Sequence, residues 1–156
     1  MSCCPRLSPW WYTKVTIALA LMAHGVVHAT TGWSAMDRWV IPTWVAQLTI
    51  ASGALIVATH YGVLKRSTKD IARPERLVTG RALYPWVRHP MYLGDFIVIV
   101  GLALLCPTPI ALTVAASSVI ALWGLCRHED RVLARSFPEE FPPYQARTRQ
   151  FLPFVL

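Results

Sequence analysis

The sequence predicts an all-α protein: a polytopic transmembrane helical bundle of about four spanning helices. Four apolar segments carry this prediction, and they run from about Trp10 to Thr30, Trp39 to Tyr61, Met91 to Cys106 and Ile110 to Cys126. The composition agrees, because 54% of the residues are hydrophobic and 15% are charged, whereas an ordinary soluble domain carries about 25% charged residues. The 156 residues suffice for one domain, so we treat residues 1–156 as a single integral membrane domain.

The last two apolar segments are shorter than the first two. A spanning helix needs about 20 apolar residues, and the first two segments reach that length. Pro107-Thr108-Pro109 separates the last two, and proline stops a helix because it lacks an amide proton and clashes with the preceding turn. We therefore expect a tight helical hairpin, with segments at 91–106 and 110–126. In the alternative interpretation this hairpin dips into the bilayer without crossing it.

Basic residues are concentrated in the loop at 62–90 and in the tail at 127–156. Cytoplasmic loops of membrane proteins carry an excess of Lys and Arg, so we expect both termini, the loop and the tail on the cytoplasmic side. The net charge of +7 would also suit nucleic acid, but no nucleic-acid-binding motif occurs. We therefore expect membrane lipids as partners and no nucleic acid. The oligomeric state stays open.

His24 and His28 lie one helical turn apart in the first segment, a spacing that can present two imidazoles to one metal ion. No third ligand follows in an obvious pattern. Hydrogen bonding between helices is the favoured interpretation, and we expect no metal site. Cys106 and Cys126 are expected to pack as small apolar residues.

Two further charged residues belong to the apolar segments. Lys14 is expected to extend to the membrane surface, with its aliphatic stem along the helix. Asp95 follows Gly94 at the start of the third segment. An ionisable group at membrane depth is a candidate functional group, although Asp95 could instead stabilise the start of a helix. Gly94 allows close backbone approach.

The segment at 84–94 carries the strongest functional signal, and it reads Tyr-Pro-Trp-Val-Arg-His-Pro-Met-Tyr-Leu-Gly. Pro90 suits the first turn of a helix, where its missing donor costs nothing, so the third helix should begin near Pro90. Arg88 and His89 then lie at the end of the helix whose free amides attract anions. Such a place could hold the carboxylate of an amino-acid-like cofactor, or a basic loop could contact phospholipid headgroups there.

A second polar cluster, Arg127-His128-Glu129-Asp130-Arg131, follows the last apolar segment. A carboxylate here could accept hydrogen bonds from a ribose diol, or it could pair with the surrounding arginines. The tail beyond it is rich in aromatic residues, which could cover a planar ring or form a short interfacial helix.

Together these regions resemble the isoprenylcysteine carboxyl methyltransferase family and its phospholipid methyltransferase relatives. The resemblance covers about residues 76–154. Its motifs are Leu77-Val78-Thr79, Tyr84, the run Arg88-His89-Pro90-Met91-Tyr92-Leu93-Gly94, Glu129-Asp130, Phe137, Glu139-Glu140, Tyr144 and Leu152-Pro153. The sequence departs from the family pattern at Ala82, where a glycine is usual, and at Phe141, where a tyrosine is usual. Thr148-Arg149-Gln150 stands in place of the usual Val-Pro-Arg.

The resemblance implies a membrane methyltransferase that uses S-adenosyl-L-methionine and receives its apolar acceptor from the bilayer. The residues it places around the cofactor are Leu77, Val78, Tyr84, His89, Pro90, Met91, Tyr92 and Glu129. His89 would bind the cofactor or act as a base, and Arg127 would orient an anionic acceptor. The acceptor would be lipid-like or lipidated.

The type of methyl acceptor depends on whether a base is present. A carboxylate acceptor needs no general base, whereas an amine or a thiol must lose a proton. The sequence shows no convincing buried acid–base pair, which favours carboxyl O-methylation of the isoprenylcysteine type. Phospholipid N-methylation and small-thiol S-methylation remain alternatives. A non-catalytic membrane scaffold is the alternative from another class.

Overall fold

A computed structural model describes residues 9–31, 41–68 and 75–151 of the chain, without the side chains of residues 9–11. These residues form five helices and no strand. The helices are α1 (Pro9–Thr31), α2 (Thr43–Ser67), α3 (Pro90–Leu105), α4 (Pro109–Ser136) and α5 (Phe141–Arg147). The predicted all-α class is confirmed.

The four predicted apolar segments coincide with α1 to α4, although α2 begins at Thr43 instead of near Trp39 and both α2 and α4 extend past the predicted ends. α2 continues to Ser67 instead of ending near Tyr61, and Lys65 and Arg66 occupy its last turn, where cations interact favourably with the helix dipole. α4 continues past Cys126 to Ser136. The second polar cluster therefore lies on a helix, at the start of the predicted tail at 127–156.

The chain reverses between α3 and α4 as predicted. Thr108 is the N-cap of α4, and its hydroxyl oxygen accepts a hydrogen bond from Ala111 N at 3.1 Å. Pro109 occupies the first turn, where proline is favoured. Pro90 begins α3 in the same way. These two prolines set the start of both helices of the hairpin.

α3 lies at the centre of the bundle, in contact with α1, α2 and α4. Its contact with α2 is made at glycines. A Cβ atom on Gly94 would lie 2.7 Å from Val57 Cγ2 and 2.8 Å from the carbonyl oxygen of Gly53, and one on Gly53 would lie 2.7 Å from the carbonyl oxygen of Gly94. Gly101 meets Ile50 in a similar way. The expected close approach at Gly94 is confirmed, and small residues of this kind are typical of helix contacts in membranes.

Apolar side chains cover the outside of the bundle. Leu55 is 68% exposed and Ile110 is 69% exposed. Within the described residues α2 and α4 are long and apolar enough to cross a membrane, whereas α3 is apolar but shorter. This pattern indicates a membrane protein. Crossing by α1 and α3, and the cytoplasmic position of both termini, stay predictions.

The α2–α3 contact predicts opposite effects of alanine at two glycines of α2. Gly53→Ala should destabilise the protein by about 1–3 kcal/mol, because overpacking against backbone atoms has this cost. Gly62→Ala should be neutral or stabilising, because no heavy atom lies within 4 Å of the place that the new methyl group would occupy and alanine favours helix by about 1 kcal/mol over glycine. Thermal unfolding in detergent measures both, and equal effects would contradict the proposed contact.

Candidate active site at the start of α3 and the end of α4

The segment before α3 lies beside the last described residues of the chain. Val87 and Arg149 form an isolated parallel β-bridge. Arg88 N donates to the carbonyl of Arg149 at 2.8 Å, and His89 N donates to the carbonyl of Gln150 at 2.8 Å. These bonds fix the backbone of Arg88 and His89 at the point where α3 begins.

Tyr84 is buried and contacts residues of both α2 and α5. Its carbonyl oxygen accepts a hydrogen bond from Tyr144 OH at 2.8 Å. Its ring lies 5.6 Å from the ring of His60, which in turn accepts a hydrogen bond from Leu83 N at 3.2 Å. Phe141 packs edge-on against Tyr144 and is fully buried, so the residue that replaces the family's tyrosine is a packing residue here.

Asp130, on α4, links the residues before α3 to the residues after α5. Its Oδ1 lies 2.7 Å from His89 Nε2. Its Oδ2 accepts hydrogen bonds from Arg88 Nη2 and Gln150 Nε2, each at 3.2 Å. The carboxylate is buried, and a buried charge needs such partners. We call Arg88, His89, Tyr92, Glu129 and Asp130 the Asp130 cluster.

Arg88 connects the Asp130 cluster to the segment after α5. Its Nη1 donates to the carbonyl of Thr148 at 2.5 Å and to that of Gln145 at 3.0 Å. The guanidinium is buried, and its Nε has no hydrogen-bond partner among the described residues. Arg88 therefore holds the tail in place and keeps one donor unused.

His89 lies between two carboxylates. Its Nε2 faces Asp130, and its Nδ1 lies 3.2 Å from Glu129 Oε2. Burial alone lowers the pKa of His89, but the hydrogen bonds and charges of Asp130 and Glu129 outweigh it and raise the pKa to about 9. A protonated imidazole that donates from both nitrogens cannot accept a proton. This geometry disfavours the base role and makes His89 a positioning residue.

Tyr92 and Glu129 meet where α3 and α4 face each other. Tyr92 OH donates to Glu129 Oε1 at 2.5 Å. The Glu129 side chain as a whole remains 47% exposed, while each of its two carboxylate oxygens contacts one partner, Tyr92 or His89. The expectation that these two residues lie together is confirmed.

Lys14 of α1 forms an ion pair with Asp95 of α3, and its expected position at the membrane surface stays a prediction. Its Nζ lies 2.6 Å from Asp95 Oδ2 and 5.2 Å from the centre of the Tyr92 ring. The ion pair joins α1 to α3 next to the Asp130 cluster. Asp95 is thus the partner of a lysine on another helix, an arrangement that the sequence analysis did not anticipate.

Of the other predicted cofactor residues, Pro90 and Met91 follow His89 directly in the chain. Pro90 is buried in the first turn of α3 and Met91, beside it, is half-buried. Leu77 and Val78 are half-buried in the segment before Tyr84. The part played by these four residues stays a prediction.

Arg127 lies on the exposed side of α4, with its guanidinium 4.6 Å from the ring centre of Trp123. Both residues line an open cleft of about 1000 Å³. The charged residues of the lining are Arg88, Arg127, Arg131, Arg149 and Asp130, and Asp130 is paired with Arg88, so the net charge of the lining is positive. The cleft therefore has the charge that an anionic group requires.

The sequence motifs did not indicate Asp130 as the central residue or its buried pair with His89. One signal could have found the pair. In an antiparallel hairpin, residues equally far from the turn lie at the same level, and the positions of His89 and Asp130 are nearly equidistant from Thr108. The residues surrounding Asp130 in sequence suggested other arginine partners, whereas its partner is Arg88.

The charge of His89 predicts a pH-dependent stability. Its pKa rises from 6.5 to about 9 on folding, so its contribution is complete below pH 6.5 and is lost as the pH rises through about 9. At about 1.4 kcal/mol per pKa unit this contribution amounts to about 3 kcal/mol. The unfolding midpoint in detergent should fall across this range, and His89→Gln should flatten the profile. His128→Gln, an exposed histidine on α4, is the control, and an unchanged slope in His89→Gln would contradict the assignment.

Known proteins resemble this chain in a region that includes the site. Residues 41–140 match the family model described as phospholipid methyltransferase. The chain is 28% identical over 150 residues to the nickel-cobalt-cadmium resistance protein NccN of Alcaligenes xylosoxydans xylosoxydans, covering 95% of this chain and 64% of the relative. It is 32% identical over 146 residues to the cobalt-zinc-cadmium resistance protein CzcN of Cupriavidus metallidurans, covering 92% of this chain and 62% of the relative.

The chain thus spans slightly under two thirds of the length of these relatives, and their names do not specify a methyl acceptor. No solved structure matches it. The family match covers more than half of the chain and includes the whole Asp130 cluster. The chain belongs to the phospholipid methyltransferase family, within the membrane methyltransferases that resemble isoprenylcysteine carboxyl methyltransferase.

Proposed function

We propose that this protein transfers a methyl group from S-adenosyl-L-methionine to a lipid-like or lipidated acceptor at a membrane face. The observation that carries the proposal is the carboxylate of Glu129, a half-exposed side chain, held by Tyr92 and His89 at the junction of α3 and α4. This junction lies within the residues that match the methyltransferase family.

The residues at this junction fit the cofactor's chemistry. A carboxylate oxygen has two lone pairs, and each oxygen of Glu129 contacts one partner, so a second lone pair on each is left to accept a hydrogen bond from a ribose hydroxyl. The unused Nε of Arg88 is a buried donor of the kind that a carboxylate group can satisfy. The residues proposed to hold the cofactor are Leu77, Val78, Tyr84, His89, Pro90, Met91, Tyr92 and Glu129. When bound, S-adenosyl-L-methionine supplies an electrophilic methyl group.

The protein's own contribution is to position the acceptor, since holding two reactants in line is a large part of catalysis. His89 orients Glu129 and takes no proton from the acceptor. A carboxylate acceptor fits this site best because it is already anionic. This supports carboxyl O-methylation as the leading reaction. Methylation of a phospholipid amine is the second candidate, and the description of the matching family favours it. Small-thiol S-methylation is a third.

The arginine-lined cleft is the proposed binding place for the acceptor's anionic group. Arg127 and Arg131 are exposed on α4 and border this cleft with Trp123. The guanidinium of Arg127 lies over the indole of Trp123, and this cation–π contact helps to orient it. An acceptor could then keep its apolar part in the bilayer while its charged end enters the cleft.

Glu129→Ala is expected to weaken S-adenosyl-L-methionine binding by more than about tenfold, because each lost hydrogen bond to a charged group is worth about 1.5–3 kcal/mol. The protein should still insert and fold, since the side chain is half-exposed. Equilibrium dialysis of detergent-purified protein measures the affinity, and Glu139→Ala, an exposed acid, is the control. Wild-type affinity in Glu129→Ala would refute the assignment. No affinity in the wild-type protein would favour the scaffold alternative.

Arg127→Ala is expected to lower methyl transfer at limiting acceptor while leaving cofactor affinity unchanged. The assay supplies cofactor with a labelled methyl group and membrane extract, and mass spectrometry identifies the product as a methyl ester, a methylamine or a thioether. Arg135→Ala, an exposed arginine in the last turn of α4, is the matched control. Equal rates of methyl transfer by the Arg127→Ala and Arg135→Ala variants would show that Arg127 is not part of the acceptor site.

A further inference from the structure

Three side chains with metal-binding atoms meet at the end of the bundle opposite the Asp130 cluster. His24 and His28 of α1 lie next to Cys106, at the C-terminal end of α3, and one ligand atom of each lies within 4.8 Å of the others. We propose that these three residues bind a divalent transition-metal ion that favours nitrogen and sulfur ligands, such as Zn²⁺ or Co²⁺. This site is separate from the proposed methyl-transfer site.

The fold supplies the third ligand that the sequence pattern lacked. The rings of His24 and His28 lie 4.3 Å apart on one face of α1. α1 packs against both α3 and α4, and this packing brings the buried Cys106 to the two imidazoles. The expectation that Cys106 is only a small packing residue therefore does not account for its neighbours.

The distances are close to those of a metal site. Metal–ligand bonds of about 2.0–2.3 Å in tetrahedral geometry hold the ligand atoms about 3.3–3.8 Å apart. The atoms here lie within 4.8 Å of one another, so movements of about 1 Å suffice to close the site. Rotation about side-chain bonds provides movements of that size without a change in the helices.

Thr108 orients one of the ligands. Its Oγ1 lies 3.0 Å from His24 Nε2, an interhelical hydrogen bond of the type expected for this histidine. The hydroxyl is itself fixed by the amide of Ala111. A metal-binding histidine usually donates its other ring N–H to such a partner. In the tautomer that carries its proton on Nε2, His24 donates to Thr108 and leaves Nδ1 for a metal ion.

The ligand set defines the class of ion. Two imidazoles and a thiolate suit Zn²⁺, Co²⁺, Ni²⁺ or Cd²⁺, whereas Mg²⁺ and Ca²⁺ prefer oxygen ligands. Binding converts the Cys106 thiol to a thiolate and releases its proton to solvent. Three protein ligands leave the fourth tetrahedral position for water.

The position of the site separates its test from that of the methyltransferase proposal. α3 has 16 residues, and at about 1.5 Å per residue it places Cys106 about 24 Å from His89. Loss of the metal ion therefore removes no contact of the Asp130 cluster. Its direct effect is on the contact between α1 and the α3–α4 turn.

Titration with Co²⁺ tests the proposal. The full-length chain is used in detergent, under anaerobic conditions, after treatment with a chelator, with Cys3 and Cys4 replaced by Ser so that only Cys106 and Cys126 remain. We expect one equivalent of Co²⁺ per chain, a thiolate-to-cobalt charge-transfer band in the near ultraviolet and intense visible bands of a four-coordinate ion. Cys106→Ser should abolish the charge-transfer band. His24→Gln and His28→Gln should each weaken the affinity by about tenfold or more.

Matched controls keep the result interpretable. Cys126→Ser replaces the other buried cysteine, and His128→Gln replaces an exposed histidine, so both should retain the wild-type spectrum. Thermal unfolding of the metal-free protein shows whether each variant is folded. If Cys106→Ser unfolds at a lower temperature than the wild type, the loss of Co²⁺ affinity in His28→Gln becomes the decisive measurement. A wild-type protein without the charge-transfer band, or a band that survives in Cys106→Ser, would overturn the metal site. Cofactor binding by the same samples reports independently on the methyltransferase proposal.

Discussion

The arrangement of the site depends on the buried carboxylate of Asp130. It binds Arg88 and His89 before α3 and Gln150 after α5, so three separate parts of the chain converge on one anion. Removing one partner of a buried ion pair typically costs about 3–5 kcal/mol, because the remaining charge is left uncompensated. Two cations around Asp130 make that carboxylate favourable inside the protein, and they also fix which face of α4 is turned toward α3.

The Asp130 cluster needs a rigid support, and the contact of α2 with α3 supplies it. Gly53 and Gly94 allow the two backbones to touch, so α3 has little freedom to slide or rotate. Gly94 follows Tyr92 by half a helical turn. The orientation of Tyr92 toward Glu129 is therefore set by backbone packing on the other side of α3. The ion pair of Lys14 and Asp95 adds a further connection from α1.

Local sequence signals predicted most of the secondary structure. The apolar segments identified α1 to α4, and Pro90 and the Pro107-Thr108-Pro109 turn marked the ends of the hairpin helices. The extension of α4 was missed because its apolar character ends near Cys126 while its helix-forming residues continue. The motif residues Tyr92 and Glu129 were paired correctly, since the family resemblance placed both in one site.

Contacts between distant residues were harder to predict. Asp130 with Arg88, Lys14 with Asp95 and Cys106 with His24 each depend on how one helix is rotated against another. A single sequence shows which faces are apolar, but here the outer faces of the helices are apolar as well. Rotation therefore could not be inferred from hydrophobic periodicity, and the charged partners became apparent only in the fold.

The length of α4 beyond its apolar part has a consequence for the choice of acceptor. Glu129 follows Cys126 by less than one helical turn, which corresponds to a height of about 4–5 Å. With the hydrocarbon boundary placed at the end of the apolar segment near Cys126, this height would fall within the layer of phosphate and glycerol groups. In an enzyme whose site lies at that depth, the distance from the hydrocarbon boundary to the reactive atom would decide which acceptors can react. Such an enzyme would accept hydrocarbon tails of many lengths and saturations and reject any acceptor whose reactive atom stands farther out into the water.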